Sequence, residues 1–198
     1  MKKTKKLIVV VGPTAVGKTK LAVQLAKYFG CEILSADARQ FYKEMSVGTA
    51  KPTLNEMDGI PHHFIDHLSI HDTYSAGMYE KEAMTQLTSL FKKQNYAVLV
   101  GGSGLFIDAV CHGLDDIPKA TDQIREELNT ALNTKGLAYI QKQVKAIDPV
   151  YYKSVDLQNS RRLIRALEVH ATTGKTISSY QNKPKKPRDF DCIWVGLT

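Results

Sequence analysis

Gly12, Pro13, Thr14, Ala15, Val16, Gly17, Lys18 and Thr19 read GPTAVGKT and follow directly on the apolar run LIVVV. The spacing G-x-x-x-x-G-K-T suits one task, holding phosphates. Glycines at both ends let the backbone turn tightly, so that successive N–H groups face an anion, and a helix starting there adds partial positive charge. Lys18 is a point charge for the outermost phosphates, and the Thr19 hydroxyl is a ligand for Mg²⁺. Such spacings also arise by chance, but the context of a buried strand before and a helix after is the confirming one. A plain strand–turn–helix would leave Lys18 unexplained at a crowded turn.

The second chemical candidate is Asp37 in EILSADARQFY, just past the end of an apolar run. In open α/β sheets that strand end lines the ligand crevice. A carboxylate there serves as a general base or orients Mg²⁺ through water. It equally serves as an ordinary turn or N-cap aspartate, and position alone leaves both readings open. Arg39 and Gln40, one turn on, could bond a base edge or a phosphate. AVLVGG ends in glycines where a nucleoside-triphosphate hydrolase would carry a second Mg²⁺-binding aspartate, and Asp66 in HFID follows no secure apolar run.

Elements that could position these residues follow from periodicity. Short apolar runs at 7–11, 32–35, 63–66, 97–100 and 192–196 alternate with helical patterns at 18–29, 75–93 and 105–111, which predicts an α/β fold with a mainly parallel sheet. Gly30 stops the first helix. After Gly113 the pattern changes: LDDIPKATD is a polar hinge, followed by helical stretches at 123–132 and 136–146. The expected organisation is a phosphate-loop core at 1–117, an all-helical insertion at 118–155, and a return helix with the last core strand at 156–198.

The 198 residues are 43% hydrophobic and 24% charged, ordinary for one globular domain with a core. No apolar run approaches the roughly 20 residues of a membrane span, and MKKTKK before LIVVVG reads as a basic tail entering a strand. A net charge of +7, with basic clusters at 2–6, 183–188 and Arg161, Arg162 and Arg165, raises a nucleic-acid partner as a possibility. Cys31, Cys111 and Cys192 lack C-x-x-C spacing, which fits buried thiols in a reducing compartment. His63, His67 and His71 recur every four residues, but Pro61 argues against a helix there, so they read as strand and loop histidines. Tyr151 and Tyr152 read as packing residues and His170 as structural.

Together, GPTAVGKT, ILSADARQFY, VGTAKP, PHHFID, YSAGMY, LVGGSGLF, DPVYY and NSRRLIRALEV resemble, in that order, the tRNA dimethylallyltransferase family of bacterial type. The resemblance implies a P-loop NTPase-like α/β fold, a parallel sheet flanked by helices with an all-helical insertion. It also implies transfer of a dimethylallyl group from dimethylallyl diphosphate to N6 of an adenine beside the anticodon of tRNA, with release of diphosphate. The loop from Gly12 to Thr19 would then hold a diphosphate, with Thr14 inside it and Mg²⁺ on Thr19, and Asp37 would be the general base. Asp37, Ala38, Arg39, Gln40 and Ser103 would meet the swung-out base. Arg161, Arg162, Leu163, Ile164 and Arg165 form the segment matching the family's basic helix near the RNA, and Arg125 on the insertion matches another RNA-facing position. A cytoplasmic monomer without membrane attachment is expected.

The sequence departs from the family's pattern in carrying Ser103 for Thr, Phe106 for Tyr, Ala38 for Ser, and Asp156–Leu157 for His-Pro. Family members continue well past residue 196, with an arginine that helps grip the diphosphate. A C-terminally truncated chain with weak or absent turnover is therefore expected. Two alternatives share the core: a small-molecule P-loop kinase using ATP, and an adenylate prenyl transferase acting on a free nucleotide. A non-catalytic RNA-binding module would tolerate loss of Lys18.

Overall fold

The computed structural model describes residues 4–115, 117–181 and 187–198. The basic positions 2–3, 183, 185 and 186 lie outside the described residues. The chain divides into two compact units, Met1–Leu114 with Lys186–Thr198, and Asp115–Lys185.

The first unit is built on a five-stranded parallel sheet in the order β3-β2-β4-β1-β5. Its strands are β1 (Lys5–Val11), β2 (Ile33–Ser35), β3 (His62–His63), β4 (Tyr96–Gly101) and β5 (Phe190–Gly196). Its helices are α1 (Lys18–Phe29), α2 (Leu54–Met57), α3 (Ala76–Lys93) and α4 (Gly104–His112). The unbroken apolar run of β1 has the signature of a strand covered on both faces. Alternate residues serve different cores: Leu7 and Val9 pack with Leu87, Leu99 and Ile107, while Ile8 and Val10 pack with Ala22, Val23 and Ala26 of α1. The third strand is shorter than the expected 63–66. Phe64 and Asp66 adopt positive φ (64° and 51°), which breaks the extended conformation two residues after pairing begins.

The second unit is helical in its described residues: α5 (Asp122–Lys135), α6 (Leu137–Ile147), α7 (Pro149–Tyr152), α8 (Ser160–Thr173) and α9 (Ser178–Gln181). Ile140, Val144, Leu163, Ala166, Leu167 and Val169 form its core. Buried Asp148 caps α7 by accepting from Tyr151 N (3.0 Å) and ties in α9 by accepting from Ser178 N (3.0 Å) and Oγ (2.8 Å). This corrects the expected boundaries. Residues 156–181, expected with the core, belong to the second unit, where α8 packs its apolar face with α5 and α6. The helical unit therefore extends well beyond residue 155.

Candidate active site

Between β1 and α1 the chain is forced into a tight loop. Gly12 has φ 151°, and a Cβ there would stand 2.5 Å from Leu197 O, so only glycine fits. Ala15 and Gly17 also have positive φ (67° and 95°), the alternation that shapes a concave amide nest for an anion. The first helical bond runs from Leu21 N to Gly17 O (3.1 Å), so the amides of Lys18, Thr19 and Lys20 at the start of α1 have no acceptor within it. Lys18 Nζ donates to Gly12 O (2.9 Å) and Pro13 O (2.6 Å), which anchors the ammonium over the loop.

Asp37 is placed by the stitching of β2 to β4. A Cβ on Gly101 would stand 2.3 Å from Ala36 O, so the β4 glycine permits a backbone contact that no other residue allows. Ala36 N donates to Val100 O (2.7 Å), Ser103 N to Ala36 O (3.2 Å), and Ala38 N to Ser103 Oγ (3.0 Å). Tyr79, fully buried on α3, donates its hydroxyl to Ser35 O (2.8 Å) and fixes the end of β2. Asp37 Oδ1 accepts from Arg39 N (3.0 Å), the turn bond of the ordinary reading, while Oδ2 lies toward Gly102, whose Cβ position is 3.9 Å away. The carboxylate thus has a fixed orientation, and its Oδ2 has no hydrogen-bond partner among the described residues. Asp37, Thr14, Lys18 and Thr19 line one cavity of about 300 Å³, at the lower limit for ligand sites.

Other anticipated residues are placed differently. Gln40 lines the cavity but its amide is committed: Oε1 accepts from Ser35 Oγ (2.9 Å), and Nε2 donates to Thr49 O (3.2 Å) and Ala50 O (2.9 Å). It is a brace between β2 and the loop at 49–50. Ser103 uses an acceptor site on Ala38 N, and Arg39 is exposed. In the helical unit, Leu163 and Ile164 are core residues (0% and 7% exposed), so their side chains cannot meet RNA as expected. Arg161 and Arg162 are exposed. Arg165 and Arg125 converge on one buried carboxylate, Glu168: Arg125 Nε donates to Oε1 (2.9 Å) and Arg165 Nη1 to Oε2 (3.1 Å). Burial pushes Glu168 upward, but the two guanidinium hydrogen bonds outweigh it and hold the carboxyl below its ordinary range. Arg125 and Arg165 therefore have a structural partner, with Arg165 also donating to Pro118 O (3.2 Å).

Several cavity residues had no assigned role in the sequence. Ala50, Lys51, Pro52, Ile65 and His62 line it too. All lie within or beside VGTAKP and PHHFID, stretches visible in the sequence whose meeting is not. His62 Nδ1 is 2.8 Å from Ile60 O, a carbonyl that can only accept, so Nδ1 is the donor, and burial lowers the ring's pKa. His67 sits edge-on to Phe41, Phe64 and Tyr74, and burial lowers its pKa as well. Among the described residues no group of three His, Cys, Asp or Glu side chains could hold a metal. No described helix is long and apolar enough to cross a membrane.

A parallel sheet, a glycine-rich loop between β1 and α1, and a carboxylate just past the end of β2 define a P-loop NTPase-like protein. Its β4 ends in glycines where a hydrolase would carry an aspartate. A family profile described as IPP transferase matches residues 40–198, and the chain belongs to that family. A tRNA dimethylallyltransferase of Christiangramia forsetii is 50% identical over 96% of this chain and 63% of that protein. One of Cytophaga hutchinsonii is 46% identical over 98% of this chain and 64% of that protein. Among solved structures, a eukaryotic dimethylallyltransferase described as acting on tRNA superposes with TM-score 0.78 at 28% identity, covering 98% of this chain and 48% of that one. A full-length tRNA isopentenylpyrophosphate transferase of Bacillus halodurans gives 0.55 at 40% identity, covering 86% and 57%. The chain thus spans somewhat under two thirds of the curated relatives it matches.

Proposed function

We propose that this chain carries the donor-binding and proton-abstracting centre of a tRNA dimethylallyltransferase. The observation that carries the reading is that the phosphate loop and the Asp37 carboxylate line one cavity. The loop amides and Lys18 grip the diphosphate of dimethylallyl diphosphate and stabilise the negative charge that grows as the allylic carbon–oxygen bond breaks. The exocyclic N6 of adenine forms the new carbon–nitrogen bond, and its proton passes to Asp37, whose Oδ2 is the oxygen left open by the Arg39 bond. Diphosphate leaves. RNA, rather than a free nucleotide, is the acceptor of this reading, with exposed Arg161 and Arg162 as cationic contacts to it. The protein acts as a monomer in the cytoplasm.

Mg²⁺ fits these residues. The cation commonly takes one or two protein oxygens and completes its shell with substrate phosphates and water. Thr19, in the first turn of α1, and Asp37 line the cavity and are its candidate holders, Asp37 acting through water. When bound, Mg²⁺ neutralises charge on the diphosphate.

The kinase alternative is disfavoured by the glycine end of β4, which leaves no aspartate at that strand's tip for a second ligand to the metal. The test is incubation with labelled dimethylallyl diphosphate and either tRNA or AMP, alongside ATP with a small-molecule acceptor. Label on tRNA, weak from this chain, stronger from a longer form of it and abolished by Asp37→Asn, is expected. Label on AMP alone, or phosphate transfer from ATP, overturns the reading.

A further inference from the structure

Part of the cavity wall is made by two short loops that meet only in three dimensions. One contributes Ala50, Lys51 and Pro52, the other Ile65. Both loops are strained, since Ala50 and Asp66 are non-glycine residues at positive φ (49° and 51°). Strain of this kind persists only where surrounding bonds over-determine it, and it gathers at ligand clamps. The bonds are present. Lys51 Nζ donates to Asp66 Oδ1 and to Tyr42 O. Asp66 N donates to Gln40 O (3.0 Å), and Gln40 Nε2 donates to Ala50 O (2.9 Å). Gln40 is therefore the hub of a closed brace that ties both loops to the end of β2. The Lys51 side chain is only 9% exposed, and that of Asp66 is 50% exposed. With its ammonium committed to two oxygens, Lys51 has its methylene stem left to line the wall beside Ala50, Pro52 and Ile65.

Resting on the reading above, we propose that the Lys51–Asp66 pair is a specificity-determining latch. It holds the apolar wall at a fixed distance from the phosphate loop, so that a five-carbon allylic diphosphate fits and longer prenyl diphosphates are excluded. A wall of this kind discriminates by volume. Rejecting a longer chain depends on the wall not yielding, because the apolar contact itself favours the longer one. Lys51 and Asp66 are positioning residues in this reading, since the Lys51 ammonium is spent on Asp66 Oδ1 and Tyr42 O.

Equilibrium binding tests this without requiring turnover. Calorimetric titrations with inorganic pyrophosphate, dimethylallyl diphosphate and geranyl diphosphate are run on the chain and on Asp66→Asn, Lys51→Met and Lys18→Ala. Lys51→Met keeps an apolar stem but loses the latch. The chain is expected to prefer the five-carbon over the ten-carbon donor by about tenfold or more. Both latch variants are expected to lose that preference while binding pyrophosphate as before. An unchanged preference in both variants overturns the latch, as does loss of pyrophosphate binding in both, which would make the pair a general structural support. If the unaltered chain does not bind pyrophosphate, or Lys18→Ala binds it equally well, the phosphate-loop reading itself falls, and the latch with it.

Discussion

Two carboxylates, one in each unit, show how environment decides what a side chain is for. Asp37 is half-buried, accepts one backbone N–H, lines a cavity, and makes no ion pair among the described residues. Glu168 is 3% exposed and clamped between two guanidinium groups. The first is oriented but left with capacity to take a proton. The second has both oxygens committed to arginines and contributes to the folded state of the helical unit. Of the basic groups expected to face RNA, those that meet Glu168 are structurally employed, and those left exposed are free for a phosphate backbone.

The contrast breaks most sharply at Asp37. Asp37→Asn keeps the shape and the acceptor for Arg39 N but removes the proposed base. In a longer form of the chain, prenyl transfer to tRNA is expected to fall by about 10²–10⁴-fold while the thermal midpoint holds. A matching loss of stability would put Asp37 in the same class as Glu168.

Glu168→Gln is the reverse case. It removes the buried carboxylate's charge-assisted bonds to two partly exposed arginines and is expected to cost about 2 kcal/mol in denaturant unfolding, with pyrophosphate binding unaffected. A cost below about 1 kcal/mol would show that the triad is weakly coupled to folding.

The pH dependence sharpens the same point. The folded-state pKa of Glu168 is lowered from its ordinary value of 4.5, so the triad's contribution is complete above that value and is lost as pH falls through the lower folded one. Unfolding of the chain followed below about pH 4.5 is expected to show a steeper acid loss than Glu168→Gln. Parallel profiles would remove the triad from the acid response.

The smallest effect belongs to the exposed arginines. Arg161→Ala with Arg162→Ala is expected to weaken RNA binding evenly across sequences and to lower its salt slope by about 0.7 for each phosphate no longer neutralised, without changing stability. An unchanged slope would move the RNA-binding surface away from α8.

Much of the molecule is legible in the sequence. The phosphate loop, α1 with its glycine stop, and the apolar runs of β1, β2, β4 and β5 stand in the structure close to where periodicity places them. What misleads is pairing at a distance. Arg165 on α8 and Arg125 on α5 read as RNA-facing because Glu168, 43 residues from Arg125, carries no sequence mark of its partners. Gln40 reads as a base-contacting amide because its acceptors, 9 and 10 residues away, belong to a loop without a periodic signal.

The phosphate loop is written in consecutive residues because its chemistry is that of the backbone: glycine, amide and helix start act over one turn, so composition determines them. The strand order, the burial of Leu163 and Ile164, the pairing of Lys51 with Asp66 and the fate of each arginine were decided only by the tertiary structure. A side chain's charge has a local address, but its partner and its exposure depend on which surfaces pack together.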